Sequence, residues 1–286
     1  YTIKLSHLNM TSGSITISSR ERVLTQGFIL RDSTLKGSSI KGEYATGNII
    51  ITNNIIDQSQ INCTYCGVHL VNNDWWGQPG KGSLTISNND FIGNESYVRL
   101  DQHRFNTIKI NNNTYTSSRG IDVQAHYAVS SYLGTYSWAW ITPATVEIKN
   151  NTFNKDTVGI KVTAGIYDIS GNNFIESPGI KYEGGSGSNQ QGLFSFKINN
   201  NYFIKQGSDG YGIYAIKNVR DSGDDLELKD NTFCSKDRVA LRLWTEKTAR
   251  MEAGDNYWNT TDKTAIQRNM VFDHLVDLDV KRTISY

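Results

Sequence analysis

Apolar and polar residues recur along this chain in one short phrase. An aliphatic residue is followed, two and three positions on, by an Asn-rich polar pair and then, two further on, by Phe, Tyr, Trp or Ile. Clear copies run Ile86-Ser87-Asn88-Asn89-Asp90-Phe91, Ile110-Asn111-Asn112-Asn113-Thr114-Tyr115, Ile148-Lys149-Asn150-Asn151-Thr152-Phe153 and Ile198-Asn199-Asn200-Asn201-Tyr202-Phe203. With the second polar residue as marker, the eight copies stand at 54, 89, 113, 151, 172, 201, 231 and 256, and the gaps are 35, 24, 38, 21, 29, 30 and 25 residues. A degenerate copy at 30–35 lies 21 residues before the first, and 3–8 reads as an earlier one. A minimum spacing of 21 suits three short strands and three turns, which is one coil of a right-handed parallel β-helix, with the excess as insertions. The frame of a leucine-rich repeat is absent, and a propeller blade needs roughly 40 residues.

Coils in such a solenoid stack at about 4.8 Å, so a residue type recurring at one coil position becomes a column. Stacked Asn side chains can bond amide to amide along the axis, and Asn also tolerates the left-handed backbone of a tight bend. The pairs therefore predict a corner, and the rings two residues later predict an inward stack, each burying roughly 150–250 Å². Both sets are structural. The expected fold is all-β, a single β-helix of about 9–10 coils over 1–254, with the last coil and a short C-terminal capping helix in 255–286.

A second motif lies between the phrases: a small residue, an apolar one, an outward one, another apolar one. Copies are Gly67-Val68-His69-Leu70, Tyr97-Val98-Arg99-Leu100, Gly120-Ile121-Asp122-Val123, Gly159-Ile160-Lys161-Val162, Gly179-Ile180-Lys181-Tyr182, Gly212-Ile213-Tyr214-Ala215 and Ala240-Leu241-Arg242-Leu243. Strand alternation then predicts an exposed column of His69, Arg99, Asp122, Lys161, Lys181, Tyr214 and Arg242. A neighbouring column holds Val71, Asp101, Gln124, Thr163, Glu183, Ile216 and Trp244, with His103 and His126 at strand ends.

Net charge is +1 by formal count, so nothing in the bulk electrostatics calls for nucleic acid. No stretch approaches the roughly 18 apolar residues of a membrane span, and the first residues lack the pattern of a signal peptide. Because the chain starts directly in repeat-like sequence, it is expected to be part of a longer polypeptide. Of the three cysteines, Cys63 and Cys66 suit either a small disulfide loop or half a zinc site, and no second ligand pair accompanies them.

The C-terminal segment runs Asp255-Asn256-Tyr257-Trp258-Asn259-Thr260-Thr261-Asp262, then an amphipathic stretch from Lys263 to Phe272. It resembles the closing segment of bacterial and archaeal right-handed β-helix repeat proteins of the secreted or surface-anchored type, and the Asn-Asn-x-Phe coils extend that likeness across most of the chain. The resemblance implies an extracellular or cell-surface location and says little about chemistry. Thr261 is the expected N-cap, with Asp262 in the first turn and Ala265, Ile266, Met270 and Val271 as an apolar stripe covering the last open coil.

The charged column suggests a partner. Cations one coil apart match the charges of an acidic polysaccharide, which Arg and Lys would pair; a solvated face with compensating pairs is the plain alternative. Trp75 and Trp76 fall in the 35-residue interval, and Tyr127, Trp138 and Trp140 in the 38-residue one, so these insertions could wall a groove. For binding, the candidates are His69, Lys181, Glu183, Arg242, Trp244, Trp75, Trp76, Trp138 and Trp140. If the groove is catalytic, a lyase or epimerase of uronic acid polymers would use Arg99 and Lys161 on the carboxylate, with His103, His126 or Tyr127 as base and acid. A hydrolase would instead need Asp101 with Asp122 or Glu183. No cofactor is expected; the acidic turn of Asp221, Asp224 and Asp225 could hold calcium or be solvated. A module that binds glycan without cleaving it, as an adhesin, and a rigid spacer remain the non-catalytic readings.

Overall fold

The computed structural model of the chain describes residues 2–18, 27–43, 45, 47–64, 66, 82–103, 105–125, 145–163, 165–183, 195–204, 211–217, 225–234, 240–245, 250–253, 255–272 and 283–285. Strands recur in a fixed cycle of three and build three parallel sheets, here A, B and C, of eleven, nine and ten strands. Each coil takes one strand from each sheet. Coil 1 is Thr2–Ser6, Asn9–Thr11 and Ser14–Ser18; coil 5 is Thr107–Asn111, Thr114–Thr116 and Gly120–Ala125; coil 9 is Asp225–Lys229, Thr232–Phe233 and Leu241–Thr245. Coil 10 combines Arg250–Glu252, a bridge at Tyr257 and Val271–Phe272, and Thr283–Ser285 adds a last strand to sheet A. The chain is a parallel β-helix.

The Asn pair divides its two tasks. The first residue of each pair bends the backbone: Asn53, Asn88, Asn112, Asn150 and Asn200 all have φ between 55° and 57°, with Asp32, Gly171, Asp230 and Asp255 in the same role. The second is buried and forms the ladder. Asn113 Oδ1 accepts from the N–H and the Nδ2 of Asn89, both at 3.0 Å, while Asn113 Nδ2 donates to Ile86 O and to Asn151 Oδ1, again at 3.0 Å. The same bonds link Asn54, Asn89, Asn113, Asn151, Asn172, Asn201, Asn231 and Asn256. Ser33 continues the column downward, accepting from Leu8 N. Only a side chain with both a donor and an acceptor can be satisfied from the coil above and the coil below.

Two residues beyond each ladder position the side chain turns inward. Phe91, Tyr115, Phe153, Phe174, Phe203, Phe233 and Trp258 form one continuous stack with centroids 4.6–5.1 Å apart. Leu35 and Ile56 extend it below as aliphatics. The stack constrains the next corner, since a Cβ on Gly179 would meet Phe203 at 2.8 Å and one on Gly212 would meet Phe233 at 2.7 Å.

A second corner, between sheets B and C, repeats the device with different residues. Ser12, Gly37, Gln58, Ser117, Lys155 and Glu176 take positive φ, and the residue after each of the last five is Ser38, Ser59, Ser118, Asp156 or Ser177. Ser38, Ser59, Asp156 and Ser177 each accept from a backbone N–H of the preceding coil, as in Ser38 N to Ser59 Oγ at 2.9 Å and Asp156 N to Ser177 Oγ at 3.0 Å; Ser96 serves Ser59 in the same way, while Ser118 Oγ accepts from Gly120 N in its own coil.

At the C-terminal end, Asp262 itself is the N-cap rather than Thr261. Its Oδ1 accepts from Thr264 N at 2.9 Å and Ala265 N at 3.3 Å, leaving Thr261 outside the helix. An aspartate at that point serves two orphan N–H groups and carries charge suited to the helix dipole. Lys263–Ala265 passes into a π turn, Ile266–Met270, which buries Ile266 and Met270 over the last coil, while Met270 O accepts from Ala240 N.

The division of labour within the pair is testable by chemical denaturation. Asn151→Ala leaves Asn113 N and Nδ2 without their buried acceptor and is expected to cost about 3 kcal/mol. Asn150→Gly, at a left-handed position that Gly171 already occupies one coil on, is expected to stay within about 0.5 kcal/mol of the parent.

Candidate functional site

Sheet C carries the charged column, and its register can be read strand by strand. Arg99 pairs with Asp122, Asp122 with Lys161, Lys161 with Lys181, Lys181 with Tyr214, and Tyr214 with Arg242. Apolar neighbours on either side, such as Val98, Leu100, Ile121, Val123, Ile160 and Val162, are fully buried, which turns the residue between them outward. Asp101 pairs with Gln124 in the next column, where Glu183, Ile216 and Trp244 follow. His103 ends the strand Tyr97–His103 opposite Ala125, across a register shift.

One position departs from the expected column. The strand below Arg99 is Gln60–Thr64, and Asn62 stands beneath Arg99 where His69 was expected. Gln60-Ile61-Asn62-Cys63 keeps the alternation with its second apolar position filled by a cysteine, which is why Val68 and Leu70 imitated it in the sequence. One coil lower, Lys41 continues the column and Glu43 its neighbour. His69, Val71, Trp75, Trp76, His126, Tyr127, Trp138, Trp140, Asp221 and Asp224 lie outside the described residues; Asp225 starts the sheet A strand Asp225–Lys229.

The points of attachment of the long connections are informative. Apart from Ile204 to Ile213 and Phe233 to Leu241, which join sheet B to sheet C, the long connections within the coils follow sheet C strands: these end at Ser18, Thr64, Ala125, Glu183 and Lys217, and the next sheet A strands begin at Gly27, Ser83, Thr145, Ser195 and Asp225. Each of these connections therefore leaves from the same edge of sheet C. Trp75, Trp76, His126, Tyr127, Trp138 and Trp140 all belong to such connections.

The face is mixed in charge. Arg99 Nη2 lies 3.9 Å from Asp101 Oδ2, and Gln124 Nε2 donates to both Asp122 oxygens at 3.0 and 3.2 Å. Counted by register, Lys41 and Arg99 of coils 2 to 5 stand with Glu43, Asp101 and Asp122, whereas Lys161, Lys181 and Arg242 of coils 6 to 9 stand with Glu183 alone. Positive charge thus gathers toward the C-terminal half. Among the described residues no group of three or more His, Cys, Asp or Glu is placed to hold a metal ion.

Cys63 and Cys66 form a disulfide, which resolves the two sequence alternatives in favour of the covalent loop. Both sulfurs are buried, and a Cβ at Gly42 in the coil below would meet each Sγ at 2.7 Å, so the glycine makes room for the bridge. The bridge closes the short loop Cys63–Cys66, where the connection that holds Trp75 and Trp76 begins.

At the corner between sheets B and C lies a group the sequence did not reveal. Asp156 occupies a serine position in the second ladder, only 4% exposed, where its Oδ1 accepts from Ser118 N at 2.6 Å and its Oδ2 has no partner. Tyr115 Oη, in the coil below, is likewise buried without a partner. Burial raises the Asp156 carboxyl from 3.8 to about 6, against the opposing pull of hydrogen bonds from Ser118 and Asn154. Tyr115 is pushed well above its ordinary value, by burial and then by the charge of Asp156. The only sequence signal was an acid at a position where the other coils place Ser.

Three sheets wound from one repeating coil define a parallel β-helix protein. The chain belongs to the family DUF1565, described as a protein of unknown function, whose model matches residues 96–265, from the second corner of coil 4 to the C-terminal helix. No curated protein and no solved structure matches the chain.

The Asp156 carboxyl gives stability a defined pH dependence. Its folded value lies above its unfolded one, so its contribution is fully present below about pH 4 and is lost as pH rises through about 6. A shift of about two units corresponds to roughly 3 kcal/mol. Denaturation of Asp156→Ser, compared with the parent at pH 4.5 and 7.5, should show the variant gaining stability relative to the parent at the higher pH; an unchanged difference would remove Asp156 as the cause.

Proposed function

We propose that sheet C is the carbohydrate-binding face of an extracellular or cell-surface β-helix module, and that its ligand is an acidic polysaccharide lying along the helix axis. The observation that carries this reading is the coincidence of two features on one sheet: a charged column in strict register, and five connections that leave from its edge and hold four of the chain's six tryptophans. Lys161 and Lys181 stand one coil apart, about 4.8 Å, and Arg242 two coils beyond Lys181, a spacing suited to acidic groups repeated along a polymer. Arg and Lys pair with such groups by charge-assisted hydrogen bonds, which place and orient more than they desolvate. Aromatic side chains from the connections supply apolar surface for sugar rings.

The excess of Lys161, Lys181 and Arg242 over acids in coils 6 to 9 favours that half as the place where the anionic groups dock. The disulfide supports an oxidising location, since such bonds persist outside the reducing cytosol. Recognition without turnover is the primary reading. A lyase or epimerase would add proton abstraction beside a uronate carboxyl, with Arg99 and Lys161 on the carboxylate and His103, His126 or Tyr127 as base and acid; of these three, His103 ends a sheet C strand, and His126 and Tyr127 lie outside the described residues.

A glycan array followed by incubation with alginate, pectate and glycosaminoglycans tests the proposal. Binding to one or more acidic polymers is expected, weakened about five-fold, or ~1 kcal/mol, by Lys161→Ala and by Lys181→Ala. New absorbance from unsaturated sugars, lost in His126→Ala, would turn the assignment to a lyase. No binding to any acidic polymer would make sheet C a solvated face and the protein a spacer.

A further inference from the structure

The three outer faces differ in chemistry. Sheet A is laced by ion pairs from Lys109, Glu147, Lys149 and Asp168. Sheet C carries the charged column. Sheet B over coils 7 to 10 is uncharged: its outward positions are Asn173 and Ile175, Tyr202 and Ile204, Thr232, and Tyr257. Three of these are large and open to solvent, Tyr202 at 48%, Ile204 at 39% and Tyr257 at 59%. The neighbouring inward residues Phe174, Phe203, Phe233 and Trp258 belong to the ring stack, so the backbone beneath the outward side chains is held by a rigid core.

We propose that this strip of sheet B is a second carbohydrate platform, which takes an extended, uncharged, β-linked glycan by stacking its sugar rings on Tyr202 and Tyr257. Register sets the spacing. Tyr202 pairs with Thr232, and Thr232 with Tyr257, so the two tyrosines stand two coils apart in one column, about 9.6 Å at the inter-strand distance. A β(1→4) hexose chain advances by roughly 5 Å per ring, close to that same inter-strand distance, and turns each ring over relative to the last. It therefore offers the same apolar ring face every second sugar, which is the interval between Tyr202 and Tyr257. The intervening sugar, turned over, presents hydroxyls at Thr232. Ile175 and Ile204 border the track with apolar surface, and Asn173 adds an amide at its lower end.

The absence of charge along these positions selects against the polymers proposed for sheet C. An acidic glycan would lose hydration on this strip with no cation to replace it, whereas the C–H faces of a neutral sugar lose little. The strip stands independently of the reading for sheet C, because none of its residues is shared with that face.

Retention of the full chain on insoluble cellulose and chitin, with affinity electrophoresis in soluble mixed-linkage β-glucan, tests the proposal. Measurable retention is expected on at least one of these, reduced at least five-fold in the Tyr202→Ala, Tyr257→Ala double variant. It is kept in Tyr202→Trp and unchanged in Lys161→Ala, which separates this strip from sheet C. Thermal melts confirm that the variants are folded, as both side chains are largely exposed. Absence of retention on every uncharged glycan overturns the proposal, as does retention that the double variant leaves intact. Sedimentation showing self-association that the double variant abolishes, without glycan retention, would overturn it by assigning the strip to a contact between copies.

Discussion

A buried amide in each coil, bonded to the amides above and below, holds the register on which everything else depends. Each ladder Asn accepts through Oδ1 from the previous coil and donates through Nδ2 to the next, so displacing one coil by a residue would strand donors and acceptors in both neighbours. Hydrophobic burial alone is less discriminating, because an aliphatic column tolerates small sliding. Ladder and ring stack lie two residues apart on the same turn, and they fix the height of a coil and its rotation together. Columns on the outer faces are a consequence of that lock.

Much of this architecture was legible in the sequence, and the reason is chemical. A ladder position that must both donate and accept favours Asn, and the inward position beside it a large apolar side chain, a ring from Phe91 onward, so both constraints print themselves as a repeat. The second corner prints nothing as clear. Its left-handed residue is variously Gly, Gln, Ser, Lys or Glu, and its ladder needs only an acceptor, which Ser supplies in a chain already rich in Ser. Asp156 was invisible for the same reason: as an acceptor it meets the local rule, and its cost arises from burial that only the packed coil reveals. The cap falls one residue beyond the expected one because Thr261 and Asp262 are both good caps, and the helix starts at Lys263, which leaves Asp262 in place to accept from Thr264 N and Ala265 N.

The candidate site was legible in part. Strands with two apolar positions around one polar position gave Arg99, Asp122, Lys161, Lys181 and Arg242 their common column. The sequence missed Lys41 and Asn62, because Gly42 and Cys63 fill inward positions where other coils place an aliphatic or aromatic residue, the glycine making room for the disulfide. The insertions were anticipated to leave the coil at a common place; the strand order puts most of them at one edge of sheet C, while those of Ile204 to Ile213 and Phe233 to Leu241 join sheet B to sheet C. The strip of Tyr202 and Tyr257 escaped notice since strands of three residues give too little alternation to separate an outward ring from an inward one.

Distances across sheet C test the central claim of coil-by-coil register most directly. Arg99 and Arg242 are separated by 143 positions in sequence yet by five strand steps in sheet C, about 24 Å at the inter-strand spacing. Spin labels attached at these two positions and measured by pulsed electron resonance should give one narrow distribution near that value once the linkers are taken into account. A broad distribution, or one centred a coil or more away, would contradict the stacked register and with it the faces built upon it.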